Sequence, residues 1–201
     1  MHRGVGIVAA VWLAVGLVGA TALAQPEGPG GGGEPRPGSQ GLGDGLIVPG
    51  QRIGPVRLTM TVEQIIAAVG RPPTRDEFPA DGVVLYEWRE HGLWVSQVAR
   101  TGRVRVISVF GTSDRYRTER GIVLLTPRSR IEAVYGPGFR AYDYPADRIT
   151  LLRYHELGLQ FGIVNQPSTP TIHGRAFQIG VFRPGDLPPV RPPAPSPGPR
   201  P

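Results

Sequence analysis

A tryptophan and two arginines near the middle of the chain have residue types that could form a binding surface. Trp94 alternates with Leu93 and Val95 on a predicted strand, so it faces outward if those two aliphatic side chains pack against a helix. Arg103 and Arg105 lie on the next predicted strand and share that face if the register is favourable. An exposed tryptophan flanked by arginines is typical of interface hot spots. The reversed phase, with Trp94 in the core and Val95 peripheral, stays open.

Side chains suited to covalent or metal-dependent chemistry are scarce. The chain of 201 residues contains no cysteine, which excludes thiolate nucleophiles, disulfide bonds and cysteine-ligated zinc. It also lacks the Gly-x-Ser-x-Gly and His-Glu-x-x-His motifs of serine hydrolases and zinc proteases. His91 and His155 fall at or beside predicted turns and are interpreted as solvated. We therefore predict no enzymatic activity, no metal site and no cofactor.

Carboxylates are the remaining route to catalysis. They follow each of two predicted helices, in segments interpreted as loops: Asp76, Glu77, Asp143 and Asp147. Two carboxylates a few ångströms apart hydrolyse glycosidic bonds in many enzymes. Loop acids among many arginines are more often surface ion pairs, which contribute little stability. A hydrolase of envelope polymer is therefore kept only as an alternative.

The chain is basic, with 22 basic and 16 acidic residues and a formal net charge of +6. Every basic residue is an arginine, and the arginines are spread over the whole chain rather than clustered. A nucleic-acid-binding surface would concentrate them on one face or helix. Arginine without lysine, alongside abundant Gly, Pro, Ala and Val, is more simply the codon usage of a GC-rich genome. We predict no nucleic-acid partner.

The two ends of the chain differ in composition from its middle. Residues 1–24 combine a basic start, an apolar run and a small-x-small site before Gln25, which predicts a secretory signal peptide. Residues 25–45 form a Gly/Pro-rich linker and residues 184–201 a Pro-rich tail, and both are predicted to be disordered. We expect a periplasmic or secreted protein, without a stable membrane anchor if the signal is cleaved, and a globular domain over residues 46–183; an uncleaved N-terminal anchor is the alternative.

Glycines in the globular region recur at a constant spacing. Gly70 and Gly136 close two predicted helices, and 136 − 70 equals 66. Gly92 and Gly158 lie in two predicted turns, and 158 − 92 also equals 66. Spacing that agrees at two landmarks indicates one supersecondary unit used twice. The sequence thus predicts an α+β fold of two tandem repeats, each a short helix packed on an antiparallel three- to four-stranded meander.

The periodicity of apolar residues predicts the elements of each repeat. In repeat one, a helix of about nine residues begins after the N-cap Thr61 and ends at Gly70. Strands are predicted over residues 83–89, 93–98 and 103–110 of repeat one (about 46–112), and over 151–154, 159–164 and 176–182 of repeat two (about 113–183). Short turns require antiparallel pairing, and one short helix covers only one face of a sheet. The other sheet face is expected to be open.

This pattern of residues resembles that of exported bacterial proteins with the beta-lactamase inhibitor protein-like fold. It is also similar to the outer-membrane small lipoprotein family, whose single unit has this order of helix and strands. The residues that carry the resemblance are Val56, Leu58, Thr59, Met60, Thr61, Ile65, Val69, Gly70 and Pro72. In that inhibitor, two such units place a concave sheet against a partner protein. The resemblance implies no transfer of enzyme inhibition and no functional residue.

The sequence therefore favours an exported, non-enzymatic binding or scaffold domain. We expect its open sheet face to recognise a protein or a cell-envelope component, with Trp94, Arg103 and Arg105 as the binding residues. The alternatives are the envelope-polymer hydrolase and a purely structural envelope spacer.

Overall fold

The computed structural model describes residues 42–70 and 73–187. The predicted signal peptide, most of the Gly/Pro linker, Pro72 and the chain beyond residue 187 lie outside the described residues. Within them the protein is α+β, with two α-helices and two β-sheets. Neither of these helices, at eight residues each, is long enough to cross a bilayer.

Twelve strands form the two sheets. In chain order they are β1 (Leu46–Val48), β2 (Arg52–Ile53), β3 (Val56–Arg57), β4 (Thr74–Phe78), β5 (Val83–Trp88), β6 (Leu93–Val98), β7 (Val104–Phe110), β8 (Arg117–Thr118), β9 (Arg140–Tyr144), β10 (Ile149–Tyr154), β11 (Leu159–Val164) and β12 (Ala176–Phe182). The small sheet has the order β3-β2-β1-β8, and the large sheet has the order β4-β5-β6-β7-β12-β11-β10-β9. All neighbours in the large sheet are antiparallel, and its two four-stranded meanders meet where β7 pairs with β12.

Helix α1 (Val62–Val69) begins and ends as its sequence predicts. The Thr61 hydroxyl accepts a hydrogen bond from the Gln64 amide at 3.3 Å, and the Gln64 side chain accepts one from the Thr61 amide at 2.9 Å. This reciprocal capping box satisfies two backbone donors that a helix N-terminus leaves free. At the other end Gly70 adopts the left-handed conformation, with a φ of +91°. The predicted N-cap and glycine stop are both confirmed.

Helix α2 (Arg128–Tyr135) has a weaker start. Pro127 is its N-cap and makes no side-chain capping bond. The helix ends at Gly136, whose amide donates to the Glu132 carbonyl at 2.8 Å. Its stability therefore depends more on packing, and Ile131 is fully buried against the sheet.

One face of the large sheet carries the main core. Leu93 and Val95 of β6 are fully buried in the same apolar cluster as Ile65 of α1 and Ile131 of α2. Residues of the small sheet, such as Ile53, belong to that cluster too. The helices and the small sheet thus pack on a single face of the large sheet. We call the opposite face, which carries Trp94 and Arg153, the open face.

Two strands replace loops that the sequence predicts. The segments after α1 and α2 form β4 and β9, the two edge strands of the large sheet. Their residues are mostly charged or polar and exposed, because only one side of an edge strand is paired and charge there protects against intermolecular pairing. Asp76, Glu77 and Asp143 therefore lie on strands, and Asp147 lies in the 3₁₀ turn that follows β9.

The folded region is wider than predicted at both ends. Leu42 keeps only 2% of its surface exposed and belongs to the main core, and Asp44 accepts the Leu46 amide and pairs with Arg52 at 3.0 Å. Leu187 is also buried. Apolar residues at both boundaries thus extend the globular part beyond residues 46–183.

Candidate functional site

A row of side chains crosses the open face perpendicular to the strands. Residues paired directly across antiparallel strands point to the same side of a sheet. The observed register therefore aligns one residue from each of the eight strands, which in sheet order are Thr74, Glu87, Trp94, Ser108, Gly180, Gln160, Arg153 and Arg140. We call this set the polar row. Its centre combines burial with hydrogen-bonding groups, which a purely structural sheet face does not need.

Arg153 is the only charged residue that is buried among those the structure describes, with 7% of its surface exposed. Its Nε donates to Gln160 Oε1 at 3.3 Å. The guanidinium carbon lies 5.2 Å from the Tyr142 ring centroid and 5.7 Å from that of Phe182, so one aromatic ring approaches it from the adjacent strand β9 and another from β12, two strands away. Within residues 42–70 and 73–187, no carboxylate pairs with Arg153, and its two Nη atoms make no hydrogen bond.

The electrostatics of this end of the row are positive. Burial lowers the pKa of Arg153 because it disfavours the charged guanidinium, and the nearby positive charge of Arg105 acts in the same direction. Arg140 is the cross-strand partner of Arg153 on the edge strand β9. Arg105, Arg140 and Arg153 thus lie near one another, and no carboxylate among the described residues neutralises the buried Arg153.

His155 extends this cluster and is not the solvated turn residue that the sequence suggests. Its Nε2 lies 3.0 Å from the Tyr142 hydroxyl, and its ring meets that of Phe182 edge-on, with centroids 6.1 Å apart. Burial lowers the pKa of His155, and the charges of Arg153 and Arg140 lower it further. The folded protein therefore favours the neutral imidazole.

We expect the folded protein to lose stability as the pH falls from about 7.5 to about 5.5, in part through His155. The pKa of His155 lies below 6.5 in the folded state, so the unfolded chain takes up the proton first and acid favours unfolding. Between these two pH values the loss due to His155 cannot exceed about 1.4 kcal/mol, because pH 5.5 lies only about one pH unit below the pKa of an unfolded histidine. Urea unfolding at both pH values should show a smaller loss for His155→Gln than for the wild type. Equal losses, or an NMR titration of His155 at or above 6.5, would contradict the prediction.

Glycines make room for long amide side chains at the centre of the open face. A Cβ on Gly180 would lie 2.6 Å from Ser108 Oγ and 3.0 Å from Gln160 Nε2. Gln178 donates to Ser108 Oγ at 3.1 Å, and Gln160 accepts from Arg153. In these two bonds Ser108 Oγ and Gln160 Oε1 act as hydrogen-bond acceptors. The Ser108 hydroxyl hydrogen and the Gln160 NH₂ group therefore remain available as donors.

Trp94 lies on the open face, as the strand alternation predicts, but it is not exposed. Only 8% of its surface is accessible, and its ring packs against Phe110 with centroids 4.0 Å apart. Val95 is fully buried in the main core, so both faces of β6 are buried and neither sequence interpretation is fully correct. The indole Nε1 of Trp94 is buried without a hydrogen-bond partner among the residues that the structure describes.

The structure does not bring all three predicted binding residues together. Trp94 pairs with Ser108, near the far end of β7 from Arg103 and Arg105. Arg103 instead forms an ion pair with Asp186 at 3.2 Å. Arg105 contributes its charge to the Arg153 cluster. The register, which the sequence left undetermined, separates Trp94 from both arginines.

The acids of the hydrolase alternative lie at opposite edges of the large sheet. Asp76 and Glu77 are on β4, Asp143 is on β9, and six strands lie between them in the sheet order. Asp143 is engaged locally, since its Oδ1 accepts the Thr150 hydroxyl at 2.6 Å. This arrangement does not favour the predicted alternative of a carboxylate pair in one cleft.

Arg153 was missed by sequence reasoning, although a signal was present. It interrupts the apolar strand Ile149–Tyr154, every residue of which is buried. An arginine inside such a run is rare, because burial of an unpaired charge is costly. That single irregularity marks the position from the sequence, while the partners around it depend on the pairing of distant strands.

No protein-family model and no curated protein sequence matches the chain. Among solved structures, it is similar to the uncharacterized protein YfeY from Escherichia coli, with 14% identity, a TM-score of 0.49 and coverage of 68% of this chain and 99% of that one. The DUF4309 family protein YjgB from Bacillus subtilis has 16% identity, a TM-score of 0.40 and coverage of 61% and 78%. An extracellular protein containing an SCP domain from Bacillus anthracis has 8% identity, a TM-score of 0.41 and coverage of 63% and 44%. At these values the likenesses carry no information about ligands, and the resemblance to the beta-lactamase inhibitor protein-like fold stays a prediction.

Proposed function

We propose that the chain is an exported, non-enzymatic domain that binds a protein or a cell-envelope component through its open face. The observation that carries this proposal is the set of donors on the polar row that described residues leave unused. Trp94 Nε1 and the Nη atoms of Arg153 have no hydrogen-bond partner among described residues, although both side chains are buried. Trp94 Nε1 is itself a buried donor without a partner, which costs stability unless a ligand accepts its hydrogen bond. The Nη atoms of Arg153 are not enclosed in this way, so they can donate to a ligand on the open face.

We further interpret the domain as two tandem repeats related by duplication. Helices α1 and α2, strands β4 and β9, β5 and β10, and β6 and β11 each begin 66 residues apart, as in 128 − 62 and 149 − 83. The last strands, β7 and β12, begin 72 residues apart, which fits an insertion before β12. The sheet order is symmetric about the β7–β12 pair, which also supports this interpretation. A duplicated unit with one free sheet face is in keeping with the resemblance to proteins that place such a face against a partner.

The hydrolase and the spacer are the competing functions. Separation of the acids on β4 from those on β9 weighs against the hydrolase. A spacer requires no unused donors in a buried row, so the open face weighs against that function. Binding is the one of the three functions that uses the features of this face.

Site-specific photo-crosslinking tests the proposed function. Phe110 lies on the open face beside Trp94, whereas Phe139 follows α2 and packs against the main core on the other side of the sheet. Each phenylalanine is replaced by p-benzoylphenylalanine, which keeps the aromatic ring and gives a matched pair. On irradiation in cell-envelope extract, we expect a discrete crosslinked product from position 110 and none from position 139.

Two results would reject binding through this face. One is the same set of products from both positions, which would indicate non-specific contact. The other is a product from position 139 alone, which would place the interface on the helix side. Circular dichroism of both variants checks that the substitutions leave the fold intact.

A further inference from the structure

We infer that Arg153 is the anchor of a binding site for a carboxylate group of the ligand. The inference rests on the proposed function and gives the open face a chemical specificity. The site lies on the polar row at Arg153, where β10 pairs with β9 and β11.

The positive charge of Arg153 is buried and unpaired in the protein without ligand. Arg153 is nine-tenths buried and lacks a carboxylate partner among the described residues, whereas other arginines have one, such as Arg52 with Asp44 at 3.0 Å. A buried charge is normally paired, because its lost hydration is otherwise not replaced. An anion on the ligand would replace it.

The guanidinium of Arg153 has a fixed orientation. Gln160 Oε1 holds the Nε, and the Tyr142 and Phe182 rings lie close to the group. Those contacts leave the Nη atoms as the unused part of the fork. A guanidinium fork with fixed orientation matches the two oxygens of a carboxylate in a bidentate pair.

The two halves of the large sheet differ at the position of Arg153. Glu87 holds the place on β5 that Arg153 holds on β10, since 153 − 87 is 66 and each pairs with the edge strand and the next inner strand. Glu87 has an ion partner, Arg89, at 3.1 Å. This position of the fold therefore accepts a carboxylate as well as a guanidinium. The fold does not require an arginine there, which leaves Arg153 to be explained by what it binds.

A carboxylate fits this site better than a phosphate. Of the three arginines, Arg105 is half-buried and Arg140 is exposed, so solvent screens their charges, and Arg153 alone is buried. Its guanidinium balances the single charge of a carboxylate, whereas a phosphate monoester carries nearly two negative charges at neutral pH and more acceptor oxygens than the fork can satisfy. The rings of Tyr142 and Phe182 also favour an apolar or aromatic group next to the anion. Benzoate is therefore the probe, and phenyl phosphate is its matched comparison.

Titration of ¹⁵N-labelled full-length protein with each probe, at constant ionic strength, tests the inference. We expect benzoate to shift the Nε–H resonance of Arg153 and the ring resonances of His155 in a saturable manner, and to bind more tightly than phenyl phosphate. Arg153→Met should weaken benzoate binding by at least about tenfold. Arg128→Met is the matched control, because Arg128 is exposed on helix α2, on the covered side of the sheet, and is already paired with Glu132 at 2.6 Å. The affinity of this variant for benzoate should equal that of the wild type.

A second variant separates binding from folding. Arg153→Lys keeps the charge but not the fork, so we expect it to retain weaker benzoate binding than the wild type. Arg153→Met should melt no lower than the wild type without ligand, because it removes an unpaired buried charge. A clear fall in its melting temperature would show that the guanidinium is structural and would overturn the inference.

Other outcomes would overturn it as well. They are the absence of saturable benzoate shifts, an equal loss of benzoate affinity in the Arg153→Met and Arg128→Met variants, and tighter binding of phenyl phosphate than of benzoate. Crosslinking from position 110 without benzoate binding would reject the carboxylate site and leave the proposed function standing. Benzoate binding that depends on Arg153, without a crosslinked partner, would support the carboxylate site and reject the larger binding surface.

Discussion

Replacement of Gly158 by alanine is expected to destabilise the protein by about 3 kcal/mol or more, a cost in the range of severe steric substitutions. Gly158 has a φ of +66°, in the left-handed region, and an added Cβ would overlap the carbonyl oxygen of Phe182 and approach Gly50 Cα to 2.8 Å. Both obstacles are backbone, so no side-chain rotation relieves them. The Gly158 carbonyl also accepts hydrogen bonds from the amides of Gly50 and Phe182, which ties the turn to two distant segments.

The matched control is Gly82→Ala, at the turn between β4 and β5. Gly82 has nearly the same φ, +63°, but an added Cβ would have nothing within 4 Å. Its cost should be about 1–2 kcal/mol, the price of a left-handed alanine alone. Urea unfolding of both variants measures the difference. Equal destabilisation would mean that the Phe182 backbone yields easily and that the close approach at Gly158 is unimportant.

A similar close approach occurs at Gly92, the other turn glycine in the 66-residue spacing. Gly92, 66 residues earlier, also has a positive φ, and its added Cβ would lie 2.6 Å from the Phe110 carbonyl oxygen. Each turn thus packs against the C-terminal residue of the last strand of its meander, Phe110 of β7 for Gly92 and Phe182 of β12 for Gly158. Because a side chain at either position would overlap a backbone carbonyl, each of the two turns requires glycine.

The elements that were missed have weak sequence signals. Strands β1, β2 and β3 contain two or three residues each, too few for an alternating pattern. Strand β4 reads Thr-Arg-Asp-Glu-Phe, in which charge masks strand propensity because the strand lies at a sheet edge. Helix α1 was predictable because its caps are local, with Thr61 and Gly70 acting within a turn of the helix.

The candidate site could be predicted only in part, because cross-strand register creates it. The alternation along β6 predicts that Trp94 points to the opposite face of the sheet from Leu93 and Val95. The burial of Trp94 depends on Phe110, which is sixteen residues away in the sequence. Arg153 meets Phe182 and Gln160 through two further pairings. These contacts join residues that are far apart in the sequence, so no local sequence pattern predicts them. An arginine within an apolar strand was the one local sign of the site.

The covered face of the large sheet contains the main core, whereas the open face contains the site that we propose for binding. The main core lies on the covered face, where the residues are apolar and completely buried. The centre of the open face instead contains Ser108, Gln160 and Arg153, which contribute less to folding than aliphatic residues would. Substitutions on the covered face should therefore affect folding first, whereas those in the polar row should affect binding with little loss of stability.

Phe161→Ala should accordingly destabilise the protein by about 3–5 kcal/mol, through lost burial and the cavity left behind. Phe161 is completely buried on β11, and its ring centroid lies 5.6 Å from that of Tyr135 on α2 and 6.0 Å from that of Tyr154 on β10. Truncation removes the contact between helix and sheet at a helix that has no side-chain cap of its own. Phe78→Ala, at the partly exposed end of β4, is the control and should cost less than half as much. Chemical denaturation of both variants decides the matter, and a similar loss for the two would contradict the assignment of the main core to the covered face.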